Sequence, residues 1–294
     1  MAGGEMVEIE YMAPASVEEA VKLLSVTDKP ARIMAGGTDL IIQLKSQISH
    51  PHRVVDIKKI PQLQQTDLTT DELIIGPAQC CAELTARQDI KAVFPGLIES
   101  AYLIGSTQVQ GRASIGGNLC NSSPAADTIP ALIANAARCC ITGAKGTREV
   151  PVEDFVTGVG RNCLEKDEIL TAIKIKRPAP GTADAYLRMI PRTEMDIAVA
   201  GAGVSLTLDK DGSCTAARVA IGAVAPTALL VPAAAEALMG SRLDDDALEA
   251  AANAARDAAK PITDRRGTVE YRTHVVGVLV KRAAKIAAQR AKGN

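Results

Sequence analysis

The chain has 294 residues, enough for two domains of ordinary size with a good share of their surface buried and no need of a disulfide or metal staple. Its 33 Lys and Arg are balanced by 34 Asp and Glu, so the basic excess that a phosphate backbone demands is missing and nucleic acid is not an expected partner. With no Trp, two Phe and four Tyr, the core must be filled by Ala, Val, Ile and Leu, and base-stacking platforms cannot be built.

Taken in order, the N-terminus has neither a positive start nor an apolar run, and no window approaches eighteen consecutive apolar residues. A signal peptide and a membrane span are therefore not expected. Ser16-Val17-Glu18-Glu19 reads as a helix start, a hydroxyl cap with a carboxylate three residues on. A strand ends at Met34, and Ala35-Gly36-Gly37-Thr38-Asp39 turns out of it into a helical pattern over Leu40 to Gln47. Arg53 to Ile57 is a short buried-strand candidate, which makes the first fifty-odd residues a small βα-type unit. Glu72 to Pro77 reads as a hairpin-like strand, and Cys81 to Gln88 and Phe94 to Tyr102 as helical patches.

The stretch from Gly105 to Pro130, GSTQVQGRASIGGNLCNSSPAADTIP, packs glycines, hydroxyls, amides and one carboxylate into a short span. Gly116 and Gly117 have no Cβ and let an anionic group approach the main-chain N–H groups, with Asn118, Ser122 and Ser123 adding side-chain donors. Asp127 stands where the N-cap of a helix over Thr128 to Ala137 belongs, with Pro130 tolerated in the first turn. The upstream Gly36-Gly37 turn, strand then glycines then helix, has the same anion-binding form. A lone glycine pair is ordinarily a tight turn. Two, each flanked by hydroxyls and opening a helix, fit a diphosphate.

Further on, Arg138 to Thr142 and Thr147 to Val150 read as strands about a Gly143 to Gly146 turn, followed by a loop over Pro151 to Phe155 and a strand over Glu168 to Ile175. Pro178-Ala179-Pro180-Gly181 breaks the chain and is the best linker. Ile197 to Leu208 and Cys214 to Gly222 form an expected antiparallel pair about an Asp209 to Ser213 turn. Three helices follow: Ala233 to Met239, Asp246 to Ala259, and one from about Val269 to the end with Val276, Leu279, Val280 and Ala283 inward.

No acid, base or nucleophile emerges. Gly201-Ala202-Gly203 lacks the third glycine of a nicotinamide fingerprint and continues as strand. His50-Pro51-His52 reads as a loop, not a metal pair. The seven cysteines follow no disulfide or cluster spacing, which is reduced, cytoplasmic usage, and Cys80-Cys81 and Cys139-Cys140 are expected to pack as small apolar groups. Catalytic and metal-ligating residues are thus expected to be none.

IMAGGTDL, followed some eighty residues later by IGGNLCNSSPAADTIP and then by TEMDIAVAGAGVSL and TDRRGTVEYRTHVVGVLVKRA, resembles the FAD-binding (medium) subunit of the molybdenum hydroxylases, the xanthine dehydrogenase and carbon monoxide dehydrogenase family. The resemblance covers nearly the whole chain. It implies an α+β fold with an FAD-binding domain of the vanillyl-alcohol-oxidase-like kind over residues 1–178, with subdomains 1–58 and 59–178. A C-terminal domain of antiparallel sheet plus helices then covers residues 179–294. FAD would be held by Arg32, Ile33, Met34, Ala35, Gly36, Gly37, Thr38 and Asp39 on one side of the diphosphate and by Ser114, Ile115, Gly116, Gly117 and Asn118 on the other. Asp127 would take ribityl or ribose hydroxyls, Ile104 would lie against the ring, Leu170 would meet its polar edge, and Gly105 would also belong to the cofactor site. Arg188 stands where several relatives have lysine. Plain core packing is the alternative for Ile104 and Leu170, and a structural salt bridge is the expectation for Arg192 and Asp196.

The same resemblance implies an oxidoreductase subunit that passes electrons from two-iron two-sulfur clusters in a small subunit, fed by a molybdenum cofactor in a large one, through FAD to NAD, a quinone or oxygen. NAD or NADP is favoured over a quinone, because an aliphatic Ile104 over the ring can be displaced. A dimer of heterotrimers is the implied assembly. Two alternatives stay open: the flavoprotein subunit of an aryl-CoA reductase, whose cysteine-bearing insertion is not found here, and a stand-alone flavin- or nucleotide-binding regulatory protein.

Overall fold

The structure is a computed structural model that describes residues 9–26, 28–46 and 52–293. It opens with β1 (Ile9–Met12), α1 (Val17–Leu24), β2 (Ala31–Met34), α2 (Leu40–Ser46) and β3 (His52–Asp56). The three strands form a parallel sheet with β3 central, so β3 is buried along its length while β1 and β2 are edges. At α1 the Ser16 Oγ accepts from the Glu19 N–H, as its position implies, whereas the Glu19 carboxylate reaches back to the Ala15 N–H. His52 opens β3; His50, Pro51 and Gln47, all named above, lie outside the described residues.

The next stretch carries β4 (Thr66–Leu68) and β5 (Glu72–Ile75), then six helices: α3 (Cys81–Thr85), α4 (Gln88–Val93), α5 (Pro95–Tyr102), α6 (Thr107–Gln110), α7 (Ile115–Asn121) and α8 (Thr128–Ala134). The two helical patches expected before the second glycine loop are therefore three helices. After them come β6 (Arg138–Gly143), β7 (Gly146–Pro151), the single turn α9 (Val152–Phe155) where a loop was expected, the small β8 (Val156–Gly158) and β9 (Arg161–Asn162) pair, and β10 (Ile169–Lys176). A five-stranded antiparallel sheet, β4-β5-β10-β6-β7, results. Its buried face, with Leu73, Ile75, Ile141 and Ile173, meets Phe94, Leu97, Leu119 and Leu132 from the helices and Phe155. Cys81 and Cys139 are packed in this core, and burial pushes both thiols up, Cys81 to about 12.

The last part is an antiparallel sheet of β11 (Thr182–Met189), β12 (Ala200–Leu208), β13 (Cys214–Gly222) and β14 (Leu229–Leu230), covered by α10 (Pro232–Leu238), α11 (Asp245–Ala258) and α12 (Val269–Ala291). The expected strand over Ile197 to Leu208 starts only at Ala200, because residues 190–199 stay irregular. Helices pack on both faces of this sheet: α12 against β11 and β12, and α5 and α8, from the earlier part of the chain, against β11 and against β12 and β13.

That second contact is close and polar at its rim. A Cβ on Gly96 would lie 2.7 Å from the Ala185 backbone. Phe94 and Pro95 offer α5 no side-chain cap, so Asp184 supplies it from 88 residues away, accepting from the Gly96 and Leu97 N–H groups at 2.9 and 3.0 Å. Arg290 of α12 adds an ion pair to Glu99 of α5 and a 2.8 Å bond to the Asp184 carbonyl. Among the described residues no helix is long and apolar enough to cross a membrane.

Candidate functional site

Between the three-stranded unit and the helices over the five-stranded sheet runs a cleft of about 820 Å³, within the roughly 300–1,000 Å³ of small-molecule sites. One wall is β2, the Ala35 to Asp39 turn and the first turn of α2; the other is the Ala113 to Asn118 segment, Cys120, Asn121 and Asp127. Glycine is required in the first wall at Gly37, whose φ of +76° lies in the left-handed region. In the second wall Ser114 caps α7, its Oγ accepting from the Gly117 N–H at 3.1 Å.

The members of each glycine pair do different work. A Cβ on Gly36 would lie 2.6 Å from the Arg112 carbonyl carbon, and one on Gly116 would lie 2.7 Å from Pro77 Cα. Those two glycines let backbone meet backbone, and the Gly36–Arg112 approach ties the two walls directly together. Around Gly37 a Cβ would meet only side-chain atoms, and around Gly117 only Ser114 Oγ at 3.0 Å and Ala35 Cβ at 4.0 Å. All four glycines line the cleft.

Asparagine and glutamine fix the rest of the middle section. Asn118 Oδ1 accepts from the Thr128 hydroxyl at 2.6 Å and the Thr128 N–H at 3.4 Å. It thereby caps α8, the role expected of Asp127. Asp127 precedes that helix, but its own backbone is right-handed helical (φ −66°, ψ −35°) and its side chain makes no capping bond. The carboxylate faces the cleft and β11 instead: Oδ1 accepts from the Tyr186 hydroxyl at 2.9 Å and Oδ2 from Arg188 Nη1 at 2.6 Å. Burial raises its pKa to about 6, against the opposing Arg188 charge and the two hydrogen bonds.

Ile104 is half-buried and Leu170 is 3 % exposed. Both pack on the main core and both line the cleft. Two expected site residues are not on the wall. Ile115 is turned into the core at 1 % exposure, and Arg188 sits behind Asp127 with its side chain 4 % exposed. Ile115 shares its buried face with Leu119, one turn on in α7, and both pack in the main core.

Several lining residues escaped the sequence reading. Gln43 bridges the walls, accepting from Arg32 Nη2 at 2.7 Å and donating to Asn121 Oδ1 at 3.0 Å; the available signal was one amide within the apolar run from Leu40 to Leu44. Arg192, Asp196 and Arg266 also line the cleft. The expected Arg192–Asp196 ion pair forms at 3.2 Å, and Arg266 joins it at 3.0 Å from the other side. Among the described residues no group of three His, Cys, Asp or Glu is arranged to hold a metal. The cleft offers glycine backbone, the buried carboxylate of Asp127 among several lining acids, and aliphatic side chains such as Ile33, Ile104 and Leu170. An extended ligand with a diphosphate, a polyol and flat apolar rings fits that set.

Comparison with known proteins gives matches along nearly the whole chain. Residues 7–178 match the family model described as the FAD binding domain in molybdopterin dehydrogenase, and residues 185–287 the CO dehydrogenase flavoprotein C-terminal domain. The chain is 34% identical over 279 residues to the carbon monoxide dehydrogenase medium chain of Hydrogenophaga pseudoflava, covering 95% of this chain and 96% of the relative. It is 32% identical over 281 residues to the nicotinate dehydrogenase FAD-subunit of Eubacterium barkeri, covering 94% and 95%. Its structure matches that of the cyanide-inactivated Cu,Mo-CO dehydrogenase with a TM-score of 0.92 at 33% identity, covering 97% and 99%.

Proposed function

Given that the chain belongs to the family of FAD-binding subunits of the molybdenum hydroxylases, we propose that it holds FAD in the cleft between its two glycine loops. The observation that carries this reading is that both glycine pairs line one cleft, held together where Gly36 and Gly116 pack closely on the Arg112 and Pro77 backbone. A diphosphate there meets main-chain N–H groups with no Cβ in the way. Arg32 to Asp39 and Ser114 to Asn118 take its two sides, Asp127 accepts from the polyol or ribose hydroxyls, and Ile104, Gly105 and Leu170 border the ring. Ile115 and Arg188 act from behind these contacts.

Bound FAD would supply the redox chemistry, electron transfer between the two-iron two-sulfur clusters of a partner and an acceptor such as NAD, a quinone or oxygen. The residues of this chain bind, orient and exclude water. The molybdenum cofactor and the clusters belong to partner subunits, and a dimer of heterotrimers in the cytoplasm is the assembly we propose. The division at 178/179 is proposed with it, the parts joined by the turn in which the Thr182 N–H donates to the Ala179 carbonyl.

The test is titration of the ligand-free chain with FAD and with ATP, followed by flavin fluorescence. One FAD per chain and a stable yellow protein are expected. A chain that binds ATP alone, or that keeps full flavin affinity as both Gly37→Val and Gly117→Val, is incompatible with this site.

A further inference from the structure

The Gly201-Ala202-Gly203 stretch that failed as a nucleotide fingerprint has a use in the structure. It lies in β12 beside β11, with Gly201 opposite Arg188 and Gly203 opposite Tyr186. A Cβ on Gly201 would sit 2.7 Å from the Tyr186 hydroxyl, and one on Gly203 2.6 Å from the Pro130 carbonyl oxygen of α8. Gly203 lets α8 close on the strand, and Gly201 leaves room for the Tyr186 side chain, whose hydroxyl reaches Asp127.

We infer that Tyr186 and Arg188 are positioning residues for Asp127, holding its carboxylate ionised and turned so that its remaining lone pairs face the cleft, and that Gly201 makes room for Tyr186 while Gly203 makes room for α8. The inference rests on the reading of Asp127 as a ligand contact. Each oxygen of Asp127 receives one of the two bonds, Tyr186 to Oδ1 and Arg188 to Oδ2, and an ionised carboxylate has about four acceptor sites. Lone pairs on both oxygens therefore stay open to hydroxyls. Both bonds also favour the charged form in a buried place that disfavours it.

Among the described residues, Arg188 is the one charged group bonded to Asp127. Around α8, Glu99 is paired with Arg290, Asp184 is held by Gly96, Leu97 and Asn135, and Arg218 is paired with Glu153. Asp127 belongs to the FAD-binding part and its holders to the C-terminal sheet, so docking of that sheet prepares the cleft chemically as well as mechanically.

The experiment follows the Asp127 carboxyl by ¹³C NMR against pH in the ligand-free full chain, assigned by loss of the signal in Asp127→Asn, and beside it the pH dependence of the FAD dissociation constant. In the wild type the carboxyl is expected to titrate at about 6. Tyr186→Phe removes one hydrogen bond to the charged form, so the midpoint rises by about one pH unit; the acidic limb of FAD binding should move with it. Gly201→Ala displaces the same hydroxyl and shifts both in the same direction. Arg188→Met shifts them further, and Arg188→Lys, which keeps the charge, recovers part of the change. A wild-type midpoint in Tyr186→Phe, or a moved midpoint with an unmoved binding limb, overturns the inference. A wild-type chain that fails to bind FAD at any pH removes the function proposal instead, and the carboxyl titration still judges Tyr186 and Arg188.

Discussion

The two glycine loops that face each other across the cleft are held by different means. The Gly36-Gly37 turn depends on a left-handed φ of +76° and runs into α2, a helix that buries only Leu40 and leaves Ile41 and Ile42 47% and 68% exposed. The Gly116-Gly117 segment lies inside α7, capped by Ser114 and anchored by Ile115 and Leu119 in the main core. One loop takes its shape from what glycine allows, the other from a cap and packing. The same two letters therefore carry different physical content, and substitutions separate them.

The largest effect is expected where backbone meets backbone. Val at Gly36 or Gly116 drives a side chain into Arg112 or Pro77 main chain, neither of which can swing aside as a side chain does. Overpacking of this kind costs about 1–3 kcal/mol or more. Urea unfolding of the ligand-free protein should register it for both; an unchanged midpoint in either breaks the idea that these glycines weld the walls.

Next comes Gly37→Val. Here the neighbours are the ends of Ile41 and Met34, so space is a minor matter and conformation the main one. A β-branched residue at φ +76° costs about 1–3 kcal/mol, and relief of that strain would re-aim the loop, so flavin affinity and stability should fall together. Gly117→Ala is the sharper contrast. Its helical backbone accepts alanine, which gains about 1 kcal/mol in helix propensity, and the Ser114 Oγ contact at 3.0 Å takes part of that back. Stability should stay within about 0.5 kcal/mol of wild type while FAD affinity drops tenfold or more, because the methyl group enters the cleft side. Retained affinity would show that the ligand does not approach this face.

Sequence carried the parts of this arrangement that are written locally. The Gly143 to Gly146 turn announces the β6–β7 hairpin, and Asp209 to Ser213 announces β12–β13. Both glycine loops, each legible as strand or cap followed by glycines and helix, line the cleft. β11 was missed because α12 and α5 cover it from opposite sides, so Ala183 to Tyr186 are buried in succession with no alternation, and Asp184 within them reads as loop. Asp127 was misread as a cap for a related reason: its partners Tyr186 and Arg188 are 59 and 61 residues away, and the cap it was expected to provide comes from Asn118. Local pattern gives loops, hairpins and helix ends; it does not say which distant side chain will claim a buried carboxylate.

The smallest expected effect, and the one that reaches furthest into the contrast, is an opposite response of the two regions to acid. Around the first loop, β1 and β3 are tied by Glu10 to Lys29 and Arg53, and these partners, Lys29 first, lower the pKa of Glu10. A group lowered in the folded state gives support that is present above its unfolded value of 4.5 and is lost as pH falls through the folded one. Around the second loop the buried carboxylates run the other way. Asp127 and Asp184 are both raised from 3.8 to about 6, mainly by burial. The folded state there binds protons more tightly than the unfolded one, so these two groups support folding most fully below about 4, and that support is lost as pH rises through about 6. Hydrogen exchange at pH 7, 5 and 4, corrected for intrinsic rates, should show α5, α8 and β11 gaining relative protection between pH 7 and 5, with β1 and β3 losing it only toward pH 4. Parallel loss in both regions from pH 7 downward would mean that Asp127 and Asp184 are ionised in the folded chain as readily as in the unfolded one, and the buried-carboxylate account of the second loop would fall with it.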